Sequence, residues 1–325
     1  MRYRTLGRTG IKVSEMCLGT MTFGDQVSEA DAISLTALAM DAGINFIDTA
    51  NMYVKGRSEE IVGKAIKGRR GDVVLATKVG IEMGAGPNDV GLSRKHIMRM
   101  AEDSLRRLDT DYIDIYYVHR PDYSTPIETT LRALDDLVHQ GKVRHIACSN
   151  FRAFQLSKAL WTSDVRNLVR FDAIQPPYNL LTRDIEYELL PLCADEGLGV
   201  CVYNPLAGGL LTGKHDPSRP PEAGTRFANE TMGKMYYDRY WNESNFAAVA
   251  QVKAIAAEYG RDMAQLALAW VLTNPTITSI IIGATSLKHV QHNISAIELE
   301  LSADELSKCD DVWRNLRPLR FFYGR

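Results

Sequence analysis

The chain has no C-x-x-C pair, and its five cysteines (Cys17, Cys148, Cys193, Cys201 and Cys309) are scattered and odd in number. That pattern suits neither a disulfide framework nor a zinc site, so reduced, buried thiols in a cytoplasmic protein are expected. No apolar stretch is long enough to cross a bilayer, so no membrane is expected as a partner. No apolar run comes after Met1-Arg2-Tyr3-Arg4, so a secretory leader is not expected. Charge of one sign is not in excess either. A formal net charge of −2 gives no reason to expect nucleic acid or an anionic surface as a partner. Finally, no strand runs into G-x-G-x-x-G, the turn that usually announces an open, doubly wound dinucleotide-binding sheet.

The chain is instead a repeat of short apolar strands and amphipathic helices. Tyr3 to Leu6 and Ile11 to Ser14 flank Gly7-Arg8-Thr9-Gly10, which predicts a β-hairpin within residues 1–16, placed to cap one end of the repeating part. Strands are then expected at Cys17–Met21, from Asn45 to Asp48, from Val73 to Lys78, from Ile113 to His119, and at Val143–Ser149, Phe171–Pro176, Val200–Tyr203 and Ser279–Ile282. Between them lie helices. One runs from Glu29 to Asp41 behind Ser28 as N-cap; another begins after Ser93, with Ile97, Ala101, Leu105 and Leu108 at helical spacing. A third places Ile127, Leu131, Leu134 and Val138 on one face before Gly141. Further helices are expected over 58–67, 151–160, 184–195, 246–259 and 262–272, with another from about Ser286. Eight strand–helix units argue for an α/β fold with a parallel sheet, and eight suits a closed (β/α)8 TIM barrel spanning 1–325 as one domain. An open sheet is the alternative. Residues 207–245 form a long loop after the seventh strand, and 317–325 form a basic, aromatic tail.

Three successive strands end in residues that handle protons: Asp48, Lys78 and His119. Tyr53 lies five positions beyond the first of them. A free phenol has a pKa of about 10 and is a poor acid at neutral pH, but a nearby ammonium favours its ionised form. Lys78 is placed to do that, with Asp48 as its counter-charge and His119 as a partner for a substrate oxygen. Such a group suits protonation of a carbonyl oxygen while hydride reaches its carbon. Each residue also has an ordinary reading. Asp at a strand end forms turns, Lys there is commonly solvated, and His119 and Tyr53 alone read as structural and surface residues. His289 and His292 share a helical face, but no third metal ligand is apparent and no metal is expected.

These residues and their surroundings resemble the aldo-keto reductase superfamily over nearly the whole chain. The matching stretches are Gly19-Thr20-Met21, Phe46-Ile47-Asp48-Thr49-Ala50 with Tyr53, Thr77-Lys78, Asp114 to His119, Gly141-Lys142-Val143-Arg144 and Cys148-Ser149-Asn150. Gln175-Pro176-Pro177-Tyr178-Asn179, Tyr203 to Lys214 and Ile282-Gly283-Ala284-Thr285 continue the pattern. It looks closest to the bacterial branch related to the potassium-channel β subunits. The resemblance implies reduction of a small aldehyde or ketone with NADPH in preference to NADH, with Tyr53 as general acid, Lys78 and Asp48 behind it, and His119 orienting the carbonyl. It implies that Ser149, Asn150 and Gln175 hold the nicotinamide carboxamide and that Tyr203 stacks on the ring. Thr20, Met21 and the turn of Asn204, Pro205, Leu206, Ala207 and Gly208 would line the ribose and pyrophosphate, Gly19 leads into them, and Lys214 would lie near the phosphates. Gly283, Thr285, His289, His292 and Asn293 would surround the adenosine. Arg226 offers positive charge for the pyrophosphate or the 2′-phosphate. At His292 related proteins often carry an acid, a departure that bears on the adenine contacts.

Two other readings stand beside the reductase. One is a sensor or interaction subunit that holds NADPH tightly and turns over slowly. The other is a barrel isomerase or lyase, which gives the Tyr53–Lys78 pair no recognisable purpose. Phe23, Met83 and Trp241 are candidate pocket walls, and a homo-oligomer is left open.

Overall fold

The computed structural model describes residues 1–229, 233–283 and 285–317. In chain order its elements are β1 Tyr3–Thr5, β2 Lys12–Ser14, β3 Met16–Gly19, α1 Glu29–Asp41, β4 Phe46–Asp48, α2 Arg57–Ala65, β5 Val74–Val79, α3 Arg94–Leu108, β6 Ile113–Val118, α4 Ile127–His139 and β7 Val143–Ser149. Then come α5 Ala153–Arg166, β8 Phe171–Gln175, α6 Leu189–Glu196, β9 Gly199–Val202, α7 Gly233–Tyr240, α8 Glu243–Glu258, α9 Met263–Thr273, β10 Ser279–Gly283, α10 Leu287–Ile294 and α11 Ala303–Leu316. The chain groups into two compact units, Met1–Pro176 with Ile185–Tyr203 and Thr276–Gln291, and Pro177–Asp184 with Asn204–Pro275 and His292–Arg325.

The first unit is the barrel. β3 to β9 pair in parallel in chain order, and β10 closes the ring between β9 and β3. This is the (β/α)8 arrangement, and it excludes the open sheet. The strands are short and apolar because both faces are covered, one by helices and one by the barrel interior. The interior is filled by Cys17, Phe46, Ala76, Ile115, Tyr117, Ala147, Ala173, Cys201 and Ile281. It is a packed core, and all five cysteines are buried and free. β1 and β2 form the expected antiparallel hairpin. Leu6 and Val13 of the hairpin join the interior cluster. Gly7, at φ +51°, lies so close to the starts of β8 and β9 that a Cβ there would meet Gly199 N at 2.6 Å and Asp172 O at 2.7 Å. The hairpin therefore plugs the N-terminal end of the barrel and leaves the opposite end to the loops that leave the strands.

Several helix bounds differ from the sequence reading, each for a local reason. The expected helix over 184–195 is a short 3₁₀ turn, Asp184–Glu186, and then α6. Pro191 is tolerated only in a first turn, where its missing N–H would have no intrahelical partner, so the helix begins at Leu189. α5 runs on to Arg166, where Asn167 adopts the left-handed conformation and stops it. The long segment after β9 contains α7.

In the second unit α8 packs on α9 and α11. The Tyr178 ring lies 5.2 Å from that of Trp270. The guanidinium of Arg183 covers Trp270 at 4.8 Å and bonds Asp310 at 2.7 Å. No helix among the described residues is long and apolar enough to cross a membrane.

Candidate active site

Because the barrel strands are parallel, their C-terminal ends share one rim, the end at which barrels of this class carry their chemistry. Asp48 closes β4, Lys78 lies one residue from the end of β5, His119 comes just after β6, Ser149 closes β7 and Gln175 closes β8. Lys78 is fully buried and Asp48 is 2% exposed. Strand alternation turns Lys78 inward, and its Nζ bonds Asp48 Oδ1, donates to the Thr49 carbonyl at 2.8 Å and lies 3.3 Å from Tyr53 Oη. The ammonium also sits 4.9 Å from the Tyr53 ring centroid, within cation–π range. Burial alone would lower the Lys78 pKa. The Asp48 carboxylate, joined by Tyr53, outweighs burial and holds it above the ordinary lysine value.

Tyr53 reaches this position through an unusual turn. Tyr53–Gly56 is a 3₁₀ segment in which Val54 (φ 47°) and Lys55 (φ 53°) are both left-handed. For a β-branched residue this is a costly conformation, on the order of 1–3 kcal/mol, and such residues cluster at functional sites. Asn150 (φ 62°), just after β7, is another in this unit.

The remaining polar residues complete one hydrogen-bonded set. Gln175 Nε2 donates to Asp48 Oδ2 at 2.8 Å, and Ser149 Oγ donates to the Gln175 carbonyl at 2.7 Å. Asn150 Nδ2 donates to Ser149 Oγ and to the His119 carbonyl, at 3.0 and 2.9 Å. Tyr203 Oη donates to Asn150 Oδ1 at 2.8 Å. His119 stands edge-on to Tyr53 with ring centroids 6.0 Å apart. The eight barrel residues expected at a nicotinamide and carbonyl site are thus brought together: Asp48, Tyr53, Lys78, His119, Ser149, Asn150, Gln175 and Tyr203. Of the others in this unit, Thr20 is buried and bonds Ser58 Oγ and the Asp48 carbonyl, while Met21 is half-buried beside it. Gly283, Thr285 and His289 are exposed, and Thr285 Oγ1 lies 3.1 Å from His289 Nδ1. Phe23 is fully buried.

The ring nitrogen His119 Nδ1 is buried with no hydrogen-bond partner among the described residues. Burial first, then the Lys78 and Arg120 charges, push the His119 pKa down to about 3. The imidazole is therefore neutral near neutral pH, and that neutrality is linked to folding. Below about 6.5 the unfolded chain takes up a proton that the folded barrel refuses, so stability falls with pH, by at most about 1.4 kcal/mol per unit from this group. Urea unfolding at mildly acidic and neutral pH should show a steeper acid loss in wild type than in His119→Asn. Equal losses would mean that His119 is not held neutral.

The second unit carries the other expected residues. Asn204 is buried and left-handed (φ 56°); its carbonyl accepts from Asn179 Nδ2 at 2.9 Å and its Oδ1 from Tyr236 Oη at 3.3 Å. Pro205, Leu206, Ala207 and Gly208 continue from it into a 3₁₀ turn, Ala207–Thr212. The Arg226 guanidinium covers the Tyr236 ring at 5.1 Å, whereas Lys214 is exposed. Trp241 stacks on Tyr237 and meets His215, Phe227 and Phe246 edge-on. His292 bonds Asp262 Oδ1 at 3.0 Å, and Asn293 is buried. Residues 230–232, Ala284 and the tail beyond Arg317 lie outside the described residues.

Sequence reasoning missed the Thr49 carbonyl, which side-chain patterns do not reveal.

A sequence profile of the Aldo/keto reductase family matches residues 15–314. Relatives include a protein described as a probable voltage-gated potassium channel subunit beta from Arabidopsis thaliana, 41% identical over 304 residues and 92% of each chain. Another is the uncharacterized oxidoreductase YrpG of Bacillus subtilis, 40% identical over 324 residues and 96% of each chain. A third is the aldo-keto reductase AMT2 of Alternaria alternata, 35% identical over 348 positions, covering 97% of this chain and 92% of the relative. With a matching profile over most of its length and relatives aligned almost end to end, the chain belongs to the aldo/keto reductase family.

Proposed function

We propose that this chain reduces aldehydes or ketones to alcohols, with NADPH as the hydride donor. The observation that carries the reading is the buried Lys78 ammonium held between Asp48 and the Tyr53 phenol at the barrel rim. An ammonium at that distance makes the phenol a better acid than free tyrosine. Tyr53 then gives its proton to the carbonyl oxygen, and Lys78 stabilises the phenolate left behind. Neutral His119 hydrogen-bonds the same oxygen and orients it. The residues present fit a nicotinamide, because the Ser149, Asn150 and Tyr203 cluster offers hydrogen-bonding groups for a carboxamide beside an aromatic ring. When bound, the reduced nicotinamide supplies the hydride. Ser149, Asn150 and Gln175 hold its carboxamide, Tyr203 stacks on its ring, and Gly19, Thr20 and Met21 line its ribose. Gly283, Thr285 and His289 are assigned to the adenosine. The choice of NADPH over NADH follows the resemblance of the chain and is what the paired nucleotide assay decides.

The test is nucleotide oxidation by the purified protein against a panel of aldehydes and ketones, with NADPH and NADH in parallel. Carbonyl-dependent oxidation of NADPH supports the reading. A second reading is favoured by the relatives described as potassium channel β subunits: a nucleotide-holding sensor or subunit with slow turnover. Tight NADPH binding, release slower than minutes and no carbonyl-dependent oxidation would select it over the reductase.

A further inference from the structure

We propose that Glu59 is a positioning residue for the Tyr53–Lys78 pair: its buried carboxylate ties the turn that carries the phenol to the strand that carries the ammonium. The proposal rests on the reductase reading for its kinetic consequence and on geometry alone for its structural one.

Glu59 lies in the first turn of α2, six residues after Tyr53, and is fully buried. Its Oε1 accepts from Thr77 Oγ1 at 2.5 Å, and its Oε2 accepts from Arg107 Nε at 2.6 Å. Thr77 is the residue before Lys78. Neighbouring strand residues point to opposite faces, so Lys78 faces into the barrel while Thr77 faces the helices and meets Glu59 there. Arg107 comes from α3 and crosses the end of the Tyr53 turn. At Gly56 (φ +95°) an added Cβ would meet Arg107 Cδ at 2.7 Å and Nε at 2.9 Å. Glycine is required there both for the left-handed backbone and for the passage of that side chain.

The links close into a ring. Tyr53 continues through the left-handed turn to Gly56, which Arg107 covers. Arg107 holds Glu59, Glu59 holds Thr77, and Thr77 adjoins Lys78, whose ammonium lies 3.3 Å from the Tyr53 oxygen. The residue before Glu59 fastens the same helix start elsewhere. Ser58 Oγ donates to the Thr20 carbonyl at 2.8 Å and lies 3.0 Å from Thr49 Oγ1. Ser58 thus sets the turn against β3 and β4, while Glu59 sets it against β5, the strand that carries Lys78. A structural ion pair needs only Arg107. The bond to Thr77 is what a positioning role requires.

Two isosteric changes test this in the full-length protein, Thr77→Val and Glu59→Gln. With NADPH and para-nitrobenzaldehyde, each should lower kcat by about 10-fold or more while KM and NADPH affinity stay within about 2-fold, as small misplacements of reacting groups do. The phenolate absorbance of Tyr53 gives a second readout that needs no turnover. It is obtained as the difference between each protein and its Tyr53→Phe counterpart. Lys78, Asp48 and His119 face this phenol and the Glu59–Arg107 pair borders its turn; Thr77→Val alters none of them, whereas Glu59→Gln removes a carboxylate and leaves Arg107 unpaired. The phenol should therefore titrate at higher pH in Thr77→Val, because its ammonium has moved away, while Glu59→Gln is read by its kcat and KM alone. An unchanged kcat, or an unchanged titration midpoint in Thr77→Val, overturns the proposal. So does a kcat loss matched by an equal loss of nucleotide affinity. If Glu59→Gln fails to fold, Thr77→Val decides. Absence of turnover in wild type defeats the reductase reading, and the absorbance titration still settles the positioning claim.

Discussion

Replacing Tyr53 with phenylalanine should slow carbonyl reduction by roughly 10²–10⁴-fold, the contribution of a positioned general acid, while leaving NADPH affinity close to that of wild type. The change removes one oxygen atom. Lys78 keeps its bonds to Asp48 and to the Thr49 carbonyl, so the ammonium stays charged and in place. The ring itself keeps its edge-on contact with His119 and its place over the ammonium. Stability should therefore fall by no more than about 1 kcal/mol, the net worth of an ordinary hydrogen bond. The measurement is single-turnover reduction beside nucleotide titration and urea unfolding, on both proteins. If nucleotide affinity falls in step with the rate, Tyr53 acts in binding and the proton must come from elsewhere. If the rate holds, Tyr53 is not the acid.

The parts of this site legible in the sequence are those for which strand geometry does the placing. A short apolar run that stops at Asp48, Lys78 or His119 predicts a strand end, and parallel strands put such ends on one rim. Tyr53 was accessible by its spacing from Asp48, although the left-handed Val54 and Lys55 that aim it carry no glycine or asparagine to announce them. Contacts between distant strands were not legible. The Gln175–Asp48 bond joins residues 127 positions apart, and Thr77–Glu59 joins a strand to a helix through side chains whose partners depend on the barrel having closed. Helix ends were readable where a cap was obvious, as at Ser28 and Ser93. α11 also starts at a full capping box, Ser302 with Glu305, residue types that stand in the sequence at the spacing a helix start requires. Pro191 was the informative residue in the segment over 184–195, since it permits a helix only if it stands in the first turn.

Asp48→Ala should destabilise the barrel by about 3–5 kcal/mol, because it strands a fully buried ammonium without its counter-charge. The direction of the pH dependence should reverse at the same time. In wild type the folded Lys78 pKa is raised, so its contribution to stability is fully present below the ordinary lysine value and is lost as pH rises through the folded one. In the variant, burial acts on Lys78 without Asp48 to oppose it, the folded pKa drops below the unfolded one, and the deficit should shrink as pH rises toward about 10. The double variant Asp48→Ala, Lys78→Met carries no buried charge at this site and should recover most of the lost stability while remaining inactive. Gln175 Nε2 loses its acceptor in both variants, so the comparison isolates the ammonium. Urea unfolding of the three proteins across neutral to alkaline pH measures this directly. A single variant as stable as wild type, or a double variant no more stable than the single, would mean that the pair is not the buried, mutually dependent unit that the barrel rim is built around.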